Sequence, residues 1–460
     1  MKNFILIAAI LFLPQLLYSQ DYSIIDGTWE GSIILQGQPL LITVTFNTMD
    51  GATDGSINIP QQSAFNLPVQ VPVLTPDSLE FSFETGTGKA TFSAGLTGRE
   101  ADTINGIFTQ SGVELPFQME RSTDEDSTDT DYFSEQEVVI TTDSLTIAGS
   151  LVVPDTMQTK SLVIFVSGSG SQTRNSSVAG FELFEEMADQ LALHGISTFR
   201  YDDRGTGEST GSSDATLDEL ADDLESIAAH FSNGQSGNTF DSIVYLGHSQ
   251  GGLISLLAAK EFTPHRVVLL ATPTLPGDKI ITQQIQNISE EQEIPEEVVT
   301  RNLEFQQKVY EAARTGEGWD ELEADIEERL REQLDQLPES QRSTLGDMDQ
   351  FIDAQVSRQL NGAKSDWFKS FIETDPAPLL RSLDVPTLAI FGENDSQVIL
   401  EPNRDALEEI NGNVTIHVIP NANHLFQVSE SGMPGEYGIL DKEFAPGLID
   451  EIVEFLKKVE

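Results

Sequence analysis

The chain contains no cysteine, few histidines and few basic residues, and each scarcity excludes a class of protein. Without cysteine it can form no disulfide, no thiolate metal site and no cysteine-linked lipid anchor. Of the six histidines, His194, His230, His248 and His265 have no second histidine or carboxylate at metal-ligand spacing on a clear helix, so we expect no metal site. The 75 acidic residues outnumber the 25 basic ones and give a formal net charge of -50. Because so acidic a surface repels polyanions and anionic lipid, we expect neither nucleic acid nor a membrane surface as a partner.

Long apolar runs are also scarce, and the one at the start of the chain is short. Its apolar core, Phe4 to Leu13, follows Lys2 and is too short to span a bilayer comfortably. Residues 1–20 therefore indicate a cleavable secretory signal, with cleavage near Ser19 or Gln20. We expect the mature protein to be secreted or periplasmic, without a stable membrane anchor.

Composition divides the rest of the chain into three regions. Between 21 and 121, short runs alternate apolar and polar residues between Gly, Asn and Asp, which predicts a small antiparallel β-sandwich or barrel. This region has no histidine and no residues at catalytic spacing, so we predict an accessory domain. The segment 122–134 opens with the acidic run STDEDSTDTD, which cannot bury enough surface to fold and indicates a linker. From 135 to 460, a hairpin pattern is followed by alternating strand and helix patterns, which are typical of an α/β domain.

One long insertion interrupts the α/β pattern at about 273–375. Its apolar residues recur at spacings of three and four, which predicts helices. Its large apolar side chains could line an acyl pocket, but for any one of them packing is favoured; they are Phe305, Tyr310, Trp319, Phe351, Trp367 and Phe368. Its glutamates, such as Glu321, Glu327 and Glu328, indicate a solvated helix face.

A single turn carries the strongest functional signal. The β-branched run that ends at Leu246 is followed by GHSQG at 247–251 and then by a helix-prone stretch. This is G-x-S-x-G between a strand and a helix, which is the context of a nucleophile elbow. A serine on so sharp a turn has strained backbone angles, and side chains at 247 and 251 would collide with the neighbouring strand and helix. The pattern therefore predicts Ser249 as an exposed nucleophile.

The base and the acid of such a site follow the serine in the order Ser, then Asp or Glu, then His. Two histidines leave room for this order: His417 falls inside an alternating strand pattern, whereas His424 falls in the polar loop after it. We therefore predict His424 as the base. The turn after the preceding buried strand offers two acids. We prefer Asp395, with Glu393 as the alternative, because 392–394 form a tight turn from which Asp395 can project.

Two loops complete the predicted site. In SLVIFVSGSGSQTRN an apolar strand enters a Gly-rich loop, where Ser169 offers one backbone N–H to an oxyanion; the helix that begins at Gln250 offers the other. The next strand ends at Asp202, Asp203 and Arg204. These side chains are open to two interpretations, as substrate ligands or as a structural turn. The common use of a buried arginine to bridge loops favours the structural one.

Together, GHSQGG, VSGSG, YDDRGTGEST, FGENDSQV and NANHLF resemble the α/β-hydrolase superfamily. More narrowly, they resemble secreted bacterial carboxylesterases and serine aminopeptidase-like hydrolases with an added N-terminal domain. The resemblance covers about 135–460 and implies a mostly parallel sheet flanked by helices, with the insertion as a helical cap over the active site. The site residues that it implies are Ser249 as nucleophile, His424 as base, Asp395 as acid, and Ser169 and Gln250 in the oxyanion hole.

Three hypotheses of function follow. The first is a carboxylic-ester hydrolase that acts on short to medium acyl esters through an acyl-enzyme, with no metal, nucleotide or flavin cofactor. The second is a serine peptidase of aminopeptidase or prolyl type, which would use the same triad and hold the substrate N-terminus with cap carboxylates. The third is a non-catalytic binding protein, which the loss of a catalytic residue would have favoured; all three are present. We thus expect a small ester or a short peptide as substrate, and the sequence does not specify the oligomeric state.

Overall fold

A computed structural model describes the chain at residues 25, 27–35, 38–49, 52–59, 64–75, 78–85, 88–96, 103–110, 113–121, 132–142, 144–156, 160–234, 240–335, 348–410 and 413–458. The predicted signal segment, 1–20, and the acidic run, 122–131, lie outside these residues. Backbone contacts divide the chain into two units, Met1–Thr123 and Asp124–Glu460. Among the described residues, none of the helices combines the length and the hydropathy that a bilayer crossing requires.

Antiparallel strands of the first unit form a closed barrel, which decides between the two predicted all-β architectures. The strands are β1 (Gly27–Leu35), β2 (Gln38–Met49), β3 (Ala52–Ile59), β4 (Ala64–Thr75), β5 (Ser78–Thr85), β6 (Gly88–Gly95), β7 (Thr103–Gln110) and β8 (Val113–Arg121). Each strand pairs with the next along the chain, and β1 pairs with β8 to close the barrel. The alternating pattern alone could not distinguish a barrel from a sandwich, because side chains alternate between two faces in both.

Aromatic side chains fill the barrel. Phe81 stacks on Phe92 with ring centroids 4.4 Å apart, and Phe117 meets Phe92 edge-on at 4.9 Å. Trp29 is completely buried, and its indole N–H donates to the Ile25 carbonyl at 2.8 Å. The interpretation of these aromatic residues as core is confirmed, and side chains occupy the interior of the barrel.

A mixed sheet organises the second unit. Its strands in chain order are β9 (Phe133–Thr141), β10 (Thr146–Pro154), β11 (Ser161–Val166), β14 (Ser197–Tyr201), β15 (Ser242–His248), β16 (Arg266–Leu270), β17 (Thr387–Gly392) and β18 (Val414–Ile419); β12 (Ser177–Val178) and β13 (Phe181–Glu182) form a separate small hairpin. The spatial order is β18-β17-β16-β15-β11-β14-β10-β9. The strands from β18 to β14 are parallel to one another, and β10 pairs antiparallel with β14 and with β9. This is the mostly parallel sheet that the sequence predicted.

The first strand of this sheet begins slightly earlier than the sequence indicated. We predicted the start of the region at Glu135, whereas β9 begins at Phe133. Phe133 pairs with Pro154 of β10 and packs against the hydrophobic core, which extends the strand by these residues.

Helices pack on both faces of the sheet. They are α1 (Leu183–Leu193), α2 (Leu217–Ser232), α3 (Gln250–Ala258), α4 (Gly277–Glu291), α5 (Glu296–Thr315), α6 (Trp319–Asp335), α7 (Met348–Lys364), α8 (Asp366–Glu373), α9 (Pro376–Ser382), α10 (Leu400–Glu408) and α11 (Leu448–Lys457), with a 3₁₀ helix at Pro434–Ile439. Buried residues alternate along β11: Leu162 and Ile164 share a cluster with α2 and α3, whereas Val163 and Phe165 share one with α1 and α11.

The helices α4 to α8 lie between β16 and β17, where the sequence predicted an insertion. All six of its large apolar residues belong to the hydrophobic cluster that also contains α2 and α3. Tyr310, for example, is completely buried. Packing, which we favoured for these side chains, is therefore confirmed.

Candidate active site

The turn between β15 and α3 has the geometry of a nucleophile elbow. Ser249 lies between the last residue of β15 and the first residue of α3, with φ 54° and ψ -122°. Such a positive φ is strained for a residue with a side chain. A Cβ at position 247 would lie 2.3 Å from the Gly251 carbonyl oxygen, and one at 251 would lie 2.0 Å from the Val166 carbonyl oxygen. Both positions therefore require glycine.

A buried hydrogen bond joins His424 to Asp395. His424 Nδ1–H donates to Asp395 Oδ2 at 2.8 Å, and both side chains are buried. The other carboxylate oxygen accepts from the backbone N–H groups of Gln397 at 2.8 Å and Val398 at 2.9 Å. These bonds fix the carboxylate, and the bond to Nδ1 favours the tautomer with its lone pair on Nε2. The structure thus brings the predicted base and the predicted acid together.

The alternative acid and the alternative histidine have partners of their own. Glu393 Oε2 accepts from the Asn421 N–H at 2.9 Å and thereby holds the loop that follows β18. His417 lies in β18, and its Nδ1 is 3.0 Å from a carboxylate oxygen of Glu451. Glu393 therefore holds the His424 loop, whereas His417 joins β18 to α11, so both side chains have structural contacts of their own.

His248 connects the His424 loop to the elbow. Its Nε2–H donates to the His424 carbonyl at 2.8 Å, and the two ring centroids are 4.8 Å apart. Burial, together with nearby His424, lowers the pKa of the His248 imidazole to about 3, so this ring stays neutral at physiological pH. The sequence pattern predicted no role for His248, although its position directly before the serine was a signal. The contact brings His424 next to the residue that precedes Ser249.

The loop after β11 lies against the elbow. A Cβ added at Gly168 would be 3.5 Å from the Ser249 Cβ. Ser169 Oγ–H donates to Gln250 Oε1 at 3.1 Å, so the two residues predicted for the oxyanion hole are neighbours. Gln250 is the first residue of α3, where a backbone N–H has no acceptor within the helix and lies at the positive end of the helix dipole.

One buried carboxylate anchors both ends of the loop 167–172, which we call the oxyanion loop after the role predicted for Ser169. Asp203 Oδ1 accepts from Ser167 Oγ–H at 2.7 Å, and its Oδ2 accepts from the Gln172 N–H at 2.9 Å. Burial, together with the nearby carboxylates of Asp223 and Asp202, raises the pKa of Asp203 to about 7 against the opposing effect of these hydrogen bonds. Asp203 is therefore a structural residue of the loop that contains Ser169.

The neighbours of Asp203 have structural partners too. Asp202 accepts from the Arg174 backbone N–H at 2.8 Å and from its Nη2 at 2.8 Å. Arg204 binds both carboxylate oxygens of Asp223, at 2.6 and 2.7 Å, which is the bidentate geometry that arginine favours. These contacts agree with the structural interpretation of this turn.

A side chain of the inserted helices also reaches the elbow. Trp367 Nε1–H, on α8, donates to Gln250 Oε1 at 2.8 Å. The sequence pattern favoured packing for Trp367 and did not predict this bond, because 117 positions separate the two residues in the chain.

These groups form a set that can perform nucleophilic acyl transfer. The reaction requires a hydroxyl nucleophile, an imidazole base oriented by a carboxylate, and N–H donors for the oxyanion. The elbow offers the hydroxyl, the pair of His424 and Asp395 offers the oriented imidazole, and the start of α3 offers an N–H group.

Similarity to known proteins covers most of the second unit. A model of the alpha/beta hydrolase fold family matches residues 162–431, which is more than half of the chain. Esterase EstD of Thermotoga maritima is 24% identical over 386 residues, which cover 82% of this chain and 79% of that protein. Among solved structures, a thermophilic esterase from Thermogutta terrifontis is 20% identical to this chain and has a TM-score of 0.39. The match covers 70% of this chain and 98% of the esterase chain. An esterase from Pyrococcus furiosus is 16% identical to this chain and has a TM-score of 0.41. The match covers 71% of this chain and 91% of the esterase chain.

Proposed function

The chain belongs to the alpha/beta hydrolase fold family, and from this premise we propose that it is a serine hydrolase that cleaves carboxylic esters of short to medium acyl length. The observation that carries the proposal is the buried hydrogen bond between His424 and Asp395, next to the strained turn of Ser249. The similarity to Esterase EstD supports an ester as the substrate class.

In the proposed reaction, Ser249 is the nucleophile. Nε2 of neutral His424 takes the hydroxyl proton as Oγ attacks the ester carbonyl carbon, and Asp395 stabilises the resulting imidazolium. The carbonyl π electrons move onto the oxygen, which then accepts hydrogen bonds from the N–H groups of Ser169 and Gln250. Each such donor contributes about 3–4 kcal/mol of transition-state stabilisation in comparable sites.

The first tetrahedral intermediate collapses when the bond to the leaving alcohol breaks. The imidazolium of His424 protonates that alcohol, and the acyl group stays on Ser249 Oγ as an ester. Water then attacks the acyl carbon of this acyl-enzyme, and His424 accepts a proton from the attacking water. The second collapse returns the proton to Ser249 Oγ and releases the carboxylic acid, so one water is consumed in each cycle.

We propose that α4 to α8 cap this site. The hydrogen bond from Trp367 on α8 to Gln250 at the elbow supports the cap. A peptidase would need a cap carboxylate turned toward the substrate ammonium. Glu327 instead accepts from Arg331 on the same helix at 2.7 Å, which does not favour the peptidase alternative.

A substrate panel tests the proposal. Purified protein is assayed on p-nitrophenyl esters of increasing acyl length and on aminoacyl-p-nitroanilides. We expect turnover of the esters, and a loss of about 10⁴-fold or more in kcat for Ser249→Ala, whereas Ser226→Ala on the surface of α2 is the matched control. Faster turnover of the anilides would favour the peptidase, and near wild-type turnover in Ser249→Ala would end the serine-hydrolase proposal.

We also propose that the protein is secreted or periplasmic, on the basis of the apolar segment 1–20. Cells that express the full chain should show ester hydrolysis in the medium or the periplasmic fraction. Cells that express 21–460 should retain it in the cytoplasm, and equal distribution in the two cases would contradict the proposal.

A further inference from the structure

The side-chain amide of Gln250 connects two separate parts of the second unit. Its Oε1 accepts from Ser169 Oγ–H, on the oxyanion loop, at 3.1 Å and from Trp367 Nε1–H, on α8, at 2.8 Å. An amide oxygen has two lone pairs, so these donors use its full capacity. Gln250 itself is 2% exposed, whereas Trp367 is half-buried and Ser169 is exposed, so the amide oxygen is the buried centre of two bonds that reach it from the surface.

The indole of Trp367 has a fixed position because α8 is firmly attached. Its ring is parallel to that of Phe371, with 6° between the planes and 5.6 Å between the centroids. Ser365 Oγ caps the helix by accepting from the Phe368 N–H at 3.0 Å. At the other side of α8, Ser370 Oγ accepts from the Leu217 N–H at the start of α2, at 3.1 Å.

The oxyanion loop is held at its ends but reaches the elbow through Ser169. Asp203 anchors the loop through Ser167 and Gln172, on either side of Ser169 in the chain. The hydroxyl of Ser169 is then bonded to Gln250 at the start of α3. The spacing between the two backbone N–H groups of the proposed oxyanion hole thus depends on where the side-chain amide of Gln250 lies. The indole N–H of Trp367 fixes that side-chain amide.

We infer that Trp367 is a positioning residue for the oxyanion hole, acting through the side chain of Gln250 on Ser169. The inference rests on the proposed function. Its consequence is that the inserted helices contribute to catalysis itself, and not only to the shape of a pocket. Because the oxyanion forms only in the transition state, loss of the indole N–H should lower kcat and leave KM nearly unchanged.

The substitution Trp367→Phe tests the inference, since it removes the N–H and keeps an aromatic ring for Phe371. Removal of a whole oxyanion donor costs about 10²–10³-fold in kcat, so loss of a bond that only positions the donors should cost roughly 3- to 30-fold. The loss should be the same on p-nitrophenyl acetate and butyrate. The matched control is Trp319→Phe on α6, which removes an indole N–H from the same hydrophobic cluster and should keep wild-type kcat.

Two further measurements separate positioning from a general structural effect. The affinity for phenylboronic acid, whose tetrahedral serine adduct resembles the transition state, should fall by the same factor as kcat/KM; a merely structural effect would lower the melting temperature without this matching fall in affinity. Gln250→Met removes the shared acceptor and keeps the backbone N–H. If Trp367 acts through Gln250, the double variant Gln250→Met/Trp367→Phe should be no worse than Gln250→Met alone.

The outcomes distinguish this inference from the proposed function. Wild-type kcat in Trp367→Phe, or independent losses in the double variant, would overturn the inference even when Ser249→Ala is inert. A raised KM on butyrate alone would also overturn it, because that result assigns Trp367 to the acyl pocket. If Trp367→Phe does not fold, Gln250→Met by itself must show the loss in kcat at constant KM, and otherwise the inference fails. Turnover by Ser249→Ala would overturn the proposed function and this inference together.

Discussion

Replacing Asp203 with asparagine should remove a cost of folding that depends on pH. Asp203 is buried, and burial raises the pKa of its carboxyl from 3.8 to about 7. The unfolded chain therefore releases this proton at a much lower pH than the folded chain does. Between these two values the folded state binds more protons than the unfolded state, so the free energy of unfolding falls as pH rises, and it levels off above about pH 7.

The size of this effect follows from the two pKa values. A difference of about 3 pKa units, at about 1.4 kcal/mol each, corresponds to about 4 kcal/mol of stability lost between strongly acidic pH and pH 8. Most of the practical range lies between pH 5 and pH 8, where the loss from this one carboxyl is about 2–3 kcal/mol. Asparagine carries no titrating group, so its contribution is constant over the same range.

Urea unfolding of the wild type and of Asp203→Asn at pH 5 and pH 8 measures the effect. The asparagine amide has the shape to keep both neighbours, since Oδ1 can accept from the Gln172 N–H while Nδ2 donates to Ser167 Oγ. The free energy of unfolding of the wild type minus that of the variant should fall by about 2–3 kcal/mol from pH 5 to pH 8. Burial also raises the pKa of Glu185, to about 7, and of Asp189, to about 6, but both residues are present in each protein and cancel in the difference.

The matched control is Asp353→Asn, a change at an exposed carboxylate on α7, which should leave the pH dependence as in the wild type. An equal difference between wild type and Asp203→Asn at the two pH values would contradict this prediction. It would mean that the donors Ser167 and Gln172 keep Asp203 ionised throughout, and that burial does not dominate its titration.

Three other predictions concern the proposed triad and the two units. His424→Ala should lose about 10⁴-fold or more of kcat, and the double variant with Ser249→Ala should be little worse than either single one, whereas multiplied losses would show that the two residues do not act as a unit. Asp395→Asn should lose far more activity than Glu393→Gln, because the amide favours the wrong imidazole tautomer; the reverse order would assign the acid to Glu393. A chain that begins at Tyr132 should keep kcat on a small soluble ester, and the N-terminal barrel alone should be inert. A loss of about 10²-fold in folded, truncated protein would show that both units build the site.

The parts of the site that could be predicted are those that a local pattern specifies. The glycines of the elbow are required by backbone contacts within a few residues of the turn and with the adjoining strand, so G-x-S-x-G between a strand and a helix carries the geometry. Asp395 and His424 each follow a strand of the parallel sheet, and the ends of parallel strands meet at one edge. Chain order and strand ends were therefore enough to select them.

The contacts that sequence analysis missed depend on packing between distant segments. The bond between Trp367 and Gln250 requires α8 to lie at the elbow, and no periodicity in the insertion encodes that placement. The bond from His248 to the His424 carbonyl joins residues 176 positions apart. The choice of a barrel over a sandwich has the same cause, because it depends on the pairing of the first strand with the last.

That closing pair has a consequence for how the first unit folds. Every other strand pairing in the barrel joins neighbours in the sequence, which can form early and locally, whereas the pairing of β1 with β8 places Trp29 opposite Arg121. The Arg121 guanidinium also lies 4.3 Å from the centroid of the Trp29 ring, at this seam. Loop closure over so long a separation is entropically costly and slow compared with hairpin formation. We therefore expect the barrel to remain open during synthesis until Arg121 is available, and its last strand to set the rate at which the unit becomes resistant to proteases.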